Sequence, residues 1–280
     1  NLSFNLTRLL TPAVKQHVRS KTLSDAKKTI DINNLIKVKL LKKGKFQSFL
    51  VLSKDDAQYY ELKMYPYEEK DKSPLYCREA RIAVLSHPHL SKIFRTEPAH
   101  EEIIKDKYFY WSYTITEVSP YGSFHDLVEQ KKFPNDDKLV RTYFHQLIEG
   151  IEYLHQHGVA HMNLKLDNLI LSEDYTLKIT GFQYAHYKAD GTITSRGTKN
   201  FRAPEVKARK CTNPAAADIF SAGIILFTMK SRMLPYVEDT VVNGYNLYDL
   251  CCKGDETFWE AHHECQDSVI HCDEDFNALF

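Results

Sequence analysis

The stretch that decides the fold reads His161-Met162-Asn163-Leu164-Lys165-Leu166-Asp167-Asn168, and the apolar tripeptides Leu169–Leu171 and Leu177–Ile179 follow it. The tripeptides predict two short strands. Just upstream, Lys138–His157 sets Leu139, Tyr143, Leu147, Ile151 and Leu154 three and four residues apart. That spacing predicts a helix with one buried stripe, stopped at Gly158. Downstream, Asp218–Met229 is apolar almost throughout and predicts a buried helix. A polar loop rich in Asn, Lys and Asp thus sits between a long helix and two small strands.

Toward the N-terminus the pattern changes. Residues 1–34 are mixed and basic and are expected to form an extension. From Leu35 to Tyr65, short runs carrying Val38, Leu40, Phe46, Phe49, Val51, Tyr59, Tyr60 and Leu62 predict an antiparallel meander. Leu75–Ser86 predicts a helix closed by His87-Pro88, and the aromatic, β-branched stretch Tyr108–Val118 predicts a strand pair. Residues 233–280 have partial helical pattern, with Trp259–His263 read as a helix packing on the helical part. A β-rich part joined to a helical part predicts an α+β chain of two lobes.

Composition bounds the function. The chain has 280 residues, 43% hydrophobic and 26% charged, with 37 basic and 37 acidic side chains. This balance is globular and excludes a disordered or collagen-like chain. Zero net charge gives no reason to expect nucleic acid or a membrane surface as partner. The longest apolar run, Ala222–Met229, is far below the roughly 20 residues of a membrane span. No basic-then-apolar leader is visible, the Asn5-Leu6-Thr7 sequon reads as chance, and six sparse Cys read as reduced thiols in a cytoplasmic protein. Cys251, Cys252, His262, His263, Cys265, His271 and Cys272 gather in the tail without paired C-x-x-C knuckles, so no zinc site is expected. The neutrality hides polarity. After Arg232 one Lys faces eleven acidic residues, a local charge of −10, whereas residues 1–232 carry +10. The tail is expected to fold onto the basic body or to present an acidic face to a basic partner.

The stretch His155–Glu205 resembles the eukaryotic protein kinase family. His161–Asn168 stands where that family has H-R-D-L-K-x-x-N, and Lys178-Ile179-Thr180-Gly181-Phe182-Gln183 where it has K-I-x-D-F-G. Gly197-Thr198-Lys199-Asn200-Phe201-Arg202-Ala203-Pro204-Glu205 matches the end of its activation segment, and Asp218–Gly223 its D-x-W-S-x-G helix. The resemblance runs from about Leu35 onward and is closest in flavour to calmodulin-dependent-type Ser/Thr kinases. It implies a smaller lobe over 35–117 and a larger lobe over 118–280. It also implies a larger lobe cut short at its end, because Glu205 would seek an Arg beyond Arg232.

The resemblance assigns roles. Phosphoryl transfer needs a phosphate cradle, a lysine, metal ligands and a base. The base position holds Asn163, whose amide cannot take a proton. Lys165 and Asn168 match the family. Met162 replaces the Arg that would receive a phosphate from Thr194 or Ser195. Gly181 replaces the metal-binding Asp, so no metal site is expected. Only Gly44 remains of the glycine-rich loop; its neighbours Lys42, Lys43 and Lys45 read as a solvated turn, or else as an anion-attracting one. Lys63 matches the β3 lysine, with Glu79 as its helical partner or else an exposed helix residue. Thr116 fits the gatekeeper, with Glu117, Val118 and Ser119 as the hinge. Glu61 and Phe49 are expected to fill the adenine roof and oppose ATP by volume and desolvation. Positions that bear on the fold, namely His161, Gly197, Thr198, Ala203, Pro204, Glu205 and Asp218, persist while reactive ones are gone. The expectation is a pseudokinase that binds or scaffolds a protein partner and needs no cofactor. The alternative is a weak or unorthodox Ser/Thr kinase using ATP and Mg through Lys63, Lys165 and Asn168.

Overall fold

The computed structural model of the chain describes residues 30–67, 73–104, 106–134, 136–191, 193, 196–241, 244, 246–253, 257–265 and 276. Residues 1–29 of the extension, with the sequon, and Thr194, Ser195, His271, Cys272 and six of the eleven acids of the tail lie outside the described residues.

The chain divides into two compact units. One holds the described residues up to Phe124 together with Leu169–Ala185; the other holds His125–Asn168 and the described part of His186–Phe280. The first is built on a five-stranded antiparallel sheet in the order β1-β2-β3-β5-β4, with β1 Leu35–Lys43, β2 Gln47–Ser53, β3 Tyr59–Pro66, β4 Ile93–Ile104 and β5 Lys107–Thr116. Alternation gives the sheet two faces. Val51, Tyr60, Leu62, Met64, Tyr113 and Ile115 form an apolar core on one, joined by Phe49. The stretch Tyr108–Val118, expected to form a strand pair, is one strand. Its partner is β4, whose IFRTEPAHEEII sequence hides from a period-2 reading because Pro98 falls at a register break between Glu97 and His100.

Helix α1 (Pro74–Ala80) starts with Pro74 in its first turn, where the missing N–H costs nothing. It is shorter than expected, and Arg81–Val84 continue as a 3-10 turn. The strands β7 (Leu169–Leu171) and β8 (Leu177–Ile179) fall where the tripeptides predict them.

The second unit begins with the short helix α2 (Phe124–Glu129), whose first residue belongs to the first unit. Its frame is α3 (Asp137–Gln156) and α5 (Pro214–Ser231). The Asp136 carboxylate caps α3 at the Lys138 and Leu139 amides, and the helix buries Tyr143, Leu147, Ile151 and Leu154 as the stripe requires. Asn213 caps α5, and Arg232 ends it in the left-handed region (φ 62°). Strands β6 (Val159–Ala160) and β9 (His186–Tyr187) pair beside the catalytic-loop stretch. Helices α4 (Pro204–Lys207), α6 (Leu247–Lys253) and α7 (Phe258–Cys265) complete the unit. Trp259 stacks on Phe227 of α5 at 5.9 Å, so α7 packs on this unit as read. Among the described residues, no helix is long and apolar enough to cross a membrane.

Candidate functional site

In the second unit the catalytic-loop stretch hangs on one carboxylate. Asp218, buried near the start of α5, accepts from the His161 amide at 2.7 Å and the Met162 amide at 2.8 Å, and meets His155 Nε2 at 2.9 Å. These contacts hold Met162 at φ 59°, a conformation a non-glycine residue adopts only when its surroundings impose it. The Met162 side chain packs among Ala160, Ala203, Val206 and Ala217. A thioether in an apolar cluster offers a phosphate nothing to pair with.

Asn163 and Asn168 come together. Asn168 Nδ2 donates to the Asn163 carbonyl at 2.8 Å, and the Thr198 hydroxyl donates to Asn163 Oδ1 at 2.8 Å. The amide therefore takes a hydrogen-bonding place that a carboxylate would also fill, but it has no basicity. Lys165 Nζ lies 3.4 Å from the Asp167 carboxylate.

In the first unit, pairing register decides which side chains share a face. Ser48 pairs with Lys63, Leu50 with Glu61, Glu61 with Thr116 and Lys63 with Thr114. These residues form the face opposite the apolar core. Phe49 pairs with Leu62 and joins that core, with Lys37 Nζ 4.9 Å above its ring. The expectation that Phe49 fills the adenine roof is therefore wrong, because a slip of one residue in a strand reverses its face. Phe46 at the hairpin tip does turn to the Lys63 face. It is buried, stacks on Tyr65 at 5.1 Å and clusters with Tyr76 of α1. A Cβ at Gly44 would meet nothing, so no close approach demands that glycine.

Lys63 and Glu79 are 3% and 1% exposed, and Lys63 Nζ lies 2.6 Å from Glu79 Oε1. Glu79 is thus the helical partner and not an exposed helix residue. Glu61 completes a triad with Oε2 3.7 Å from Lys63 Nζ. Its Oε1 accepts from Ser48 at 2.5 Å and its Oε2 from Thr116 at 3.4 Å. Burial alone would lower the Lys63 pKa, but Glu61 and Glu79 outweigh it and hold the ammonium above its ordinary 10.5. Burial, reinforced by Glu79, pushes the Tyr65 hydroxyl well above 10, so it stays a donor and bonds Glu79. Gln183 adds Nε2 to Glu79 Oε2 at 2.6 Å and to Tyr65 Oη at 3.2 Å.

The hinge stretch is tied down in the same unit. Glu117 pairs with Lys178 at 2.9 Å, and the Ser119 hydroxyl donates to the Leu171 carbonyl at 2.7 Å. Gly181, at φ 83° and ψ 44°, brings no side-chain oxygen. The magnesium ion that the family resemblance implies needs anionic oxygen ligands. The residue here does not fit that ion.

Sequence reading missed two groups. Gln183 carries no reactive chemistry by itself, and Glu238 lies in a loop. Glu238 is buried; it meets Arg202 Nη2 at 3.0 Å and Lys207 at 3.8 Å, and its amide donates to Asn200 Oδ1 at 2.8 Å. Asp239 pairs with Lys207 at 2.8 Å and Lys199 at 3.2 Å. The end of the activation segment is thus held by Arg202 on Glu238. Glu205 is half-buried. The first two acids after Arg232 fold onto basic residues of the body. The signal available in the sequence was the adjacent acid pair at the point where the charge changes sign.

Residues 36–271 match the family model described as the protein kinase domain. The chain is 33% identical over 169 residues to CBL-interacting protein kinase 26 of Oryza sativa, covering 59% of this chain and 32% of that protein. It is 31% identical over 162 residues to the carbon catabolite-derepressing protein kinase of Saccharomyces cerevisiae, covering 57% and 24%. It is also 32% identical over 179 residues to CBL-interacting serine/threonine-protein kinase 9 of Arabidopsis thaliana, covering 62% and 37%. The chain thus matches well under half the length of these relatives. With the sheet, the Lys63–Glu79 pair and the Asp218-capped loop in the family's order, the chain belongs to the protein kinase domain family.

Proposed function

We propose that this domain is a pseudokinase, a kinase-fold module that binds a protein partner in signalling without efficient phosphoryl transfer. The observation that supports this reading is the joint state of three positions. Asn163 offers an amide where a base is needed, Gly181 offers no metal carboxylate, and Glu61 puts a carboxylate on the Lys63 face. A nucleotide would have to desolvate beside Glu61 and compete with it for Lys63. On this reading no metal or nucleotide cofactor is required. The partner is a protein, and the free thiols of Cys77, Cys211, Cys251 and Cys252 suit a reduced, cytoplasmic setting.

The second reading is an ATP- and Mg-dependent Ser/Thr protein kinase working through Lys63, Lys165 and Asn168. The comparisons favour it over the first, since the similar proteins are named as protein kinases and one as a serine/threonine-protein kinase. The intact Lys63–Glu79 pair favours it too. Two relatives are named for interaction with CBL, which supports a protein partner under either reading.

One experiment separates the two. The domain is titrated with ATP and Mg in a thermal-shift assay and tested for phosphate transfer to a Ser/Thr peptide mixture. The pseudokinase reading expects neither a shift at millimolar ATP nor transfer, and expects the triple variant Glu61→Ala, Asn163→Asp, Gly181→Asp to gain nucleotide binding. Transfer by the unmodified domain that disappears in Lys63→Met would overturn it.

A further inference from the structure

The carboxylate of Glu79 is held by more than its lysine. Lys63 is shared, because Glu61 lies 3.7 Å from the same Nζ that meets Glu79 at 2.6 Å. Two carboxylates and one ammonium leave this face with an excess negative charge, and a divided cation is a poor anchor for a helix of seven residues. Two neutral donors supply the remainder. The Tyr65 hydroxyl and Gln183 Nε2 both bond Glu79 Oε2, and Gln183 also reaches Tyr65 Oη. A carboxylate accepts at about four lone-pair sites, so three donors come close to saturating it.

The donors are well supported. The Tyr65 ring lies between Phe46 of the hairpin tip at 5.1 Å and Tyr76 of α1 at 5.9 Å. Gln183 sits in the 3-10 turn Phe182–Tyr184, beside fully buried Phe182, and left-handed Gly181 starts that turn. Where the family motif has a glycine, position 183 has an amide long enough to cross to α1.

We infer that Gln183 and Tyr65 form a latch that fixes α1 to the Phe182–Tyr184 turn and presets the Lys63–Glu79 pair without any bound ligand. The latch is independent of whether the domain transfers phosphate, since neither side chain has a part in that chemistry. It presents the exposed side of α1, including Arg81 and Val84 just beyond it, in one fixed position.

The test is amide hydrogen exchange in the folded protein. Gln183→Leu keeps apolar volume and removes both donated bonds. It is expected to speed exchange of the α1 amides about tenfold while β2 and β3 amides keep their rates. If Gln183→Leu does not fold, Tyr65→Phe, which removes one hydroxyl, is expected to give a smaller acceleration in the same helix. Unchanged α1 exchange in a folded variant would overturn the latch. Acceleration spread evenly over sheet and helix would also overturn it, because that outcome marks general destabilisation.

Discussion

The catalytic-loop stretch and the Lys63 face depart from the family pattern in opposite ways. In the loop, the backbone frame is whole and two side chains, Met162 and Asn163, differ in kind. Asp218 caps two amides, Asn168 ties back to Asn163, and what is absent is a cation at residue 162 and a basic oxygen at residue 163. On the sheet face the reactive lysine and its helical partner are present, and the surroundings are rebuilt. Glu61, Phe46, Tyr65 and Gln183 occupy the space around them. The contrast follows from what burial demands. Backbone amides at the loop must be satisfied whatever the chemistry, so Asp218 is indispensable to the fold. A buried ion pair tolerates new neighbours if each brings its own donor or acceptor.

The largest effect should come from Asp218→Ala. It leaves the His161 and Met162 amides unsatisfied in the interior and frees Met162 from its left-handed conformation. A loss of about 3–5 kcal/mol is expected in urea unfolding, with much of the protein insoluble. Glu79→Ala should cost somewhat less, about 3 kcal/mol, because Glu61 still lies 3.7 Å from the stranded lysine. If Glu79→Ala proves more damaging than Asp218→Ala, the sheet face is the stiffer region and the comparison fails. Glu61→Ala should cost about 1 kcal/mol or less, since Glu61 is partly exposed and Glu79 keeps Lys63 paired.

These residues also mark how far the sequence could be read. The α3 stripe and the two tripeptide strands were legible because each follows one clean period. So was Asp218, which has a motif around it. The face of β2 was not legible. A count one position out puts Phe49 on the Lys63 face, where Ser48 and Leu50 stand. Glu61 was assigned to the correct face because Lys63, two residues on, fixes it. Gln183 was invisible as a functional position, since its meaning lies in a bond to a residue 104 positions away.

Alkaline pH probes the sheet face together with Tyr236, Tyr248 and Cys251 of the second unit, which burial also raises. Tyr65 is raised well above its ordinary 10.0 and Lys63 is raised above 10.5, so the folded state keeps protons that the unfolded chain releases. Their contribution is fully present below pH 10 and is lost as pH rises above it. Urea midpoints measured from pH 8 to 11 should therefore fall above pH 10, and Tyr65→Phe should make that fall shallower. An equally steep fall in Tyr65→Phe would move the cause elsewhere.

The smallest effect is expected of Asn163→Asp. The Thr198 hydroxyl can donate to a carboxylate as readily as to the amide oxygen, and the Asn163 carbonyl still accepts from Asn168. Stability should change by about 0.5 kcal/mol or less, as for substitutions that preserve their hydrogen bonds. Activity should not appear with this change alone, because Gly181 still brings no metal carboxylate and Glu61 still shares Lys63. If Asn163→Asp by itself produced phosphate transfer, the rebuilt sheet face would be compatible with nucleotide, and the loop would be the sole site of the defect.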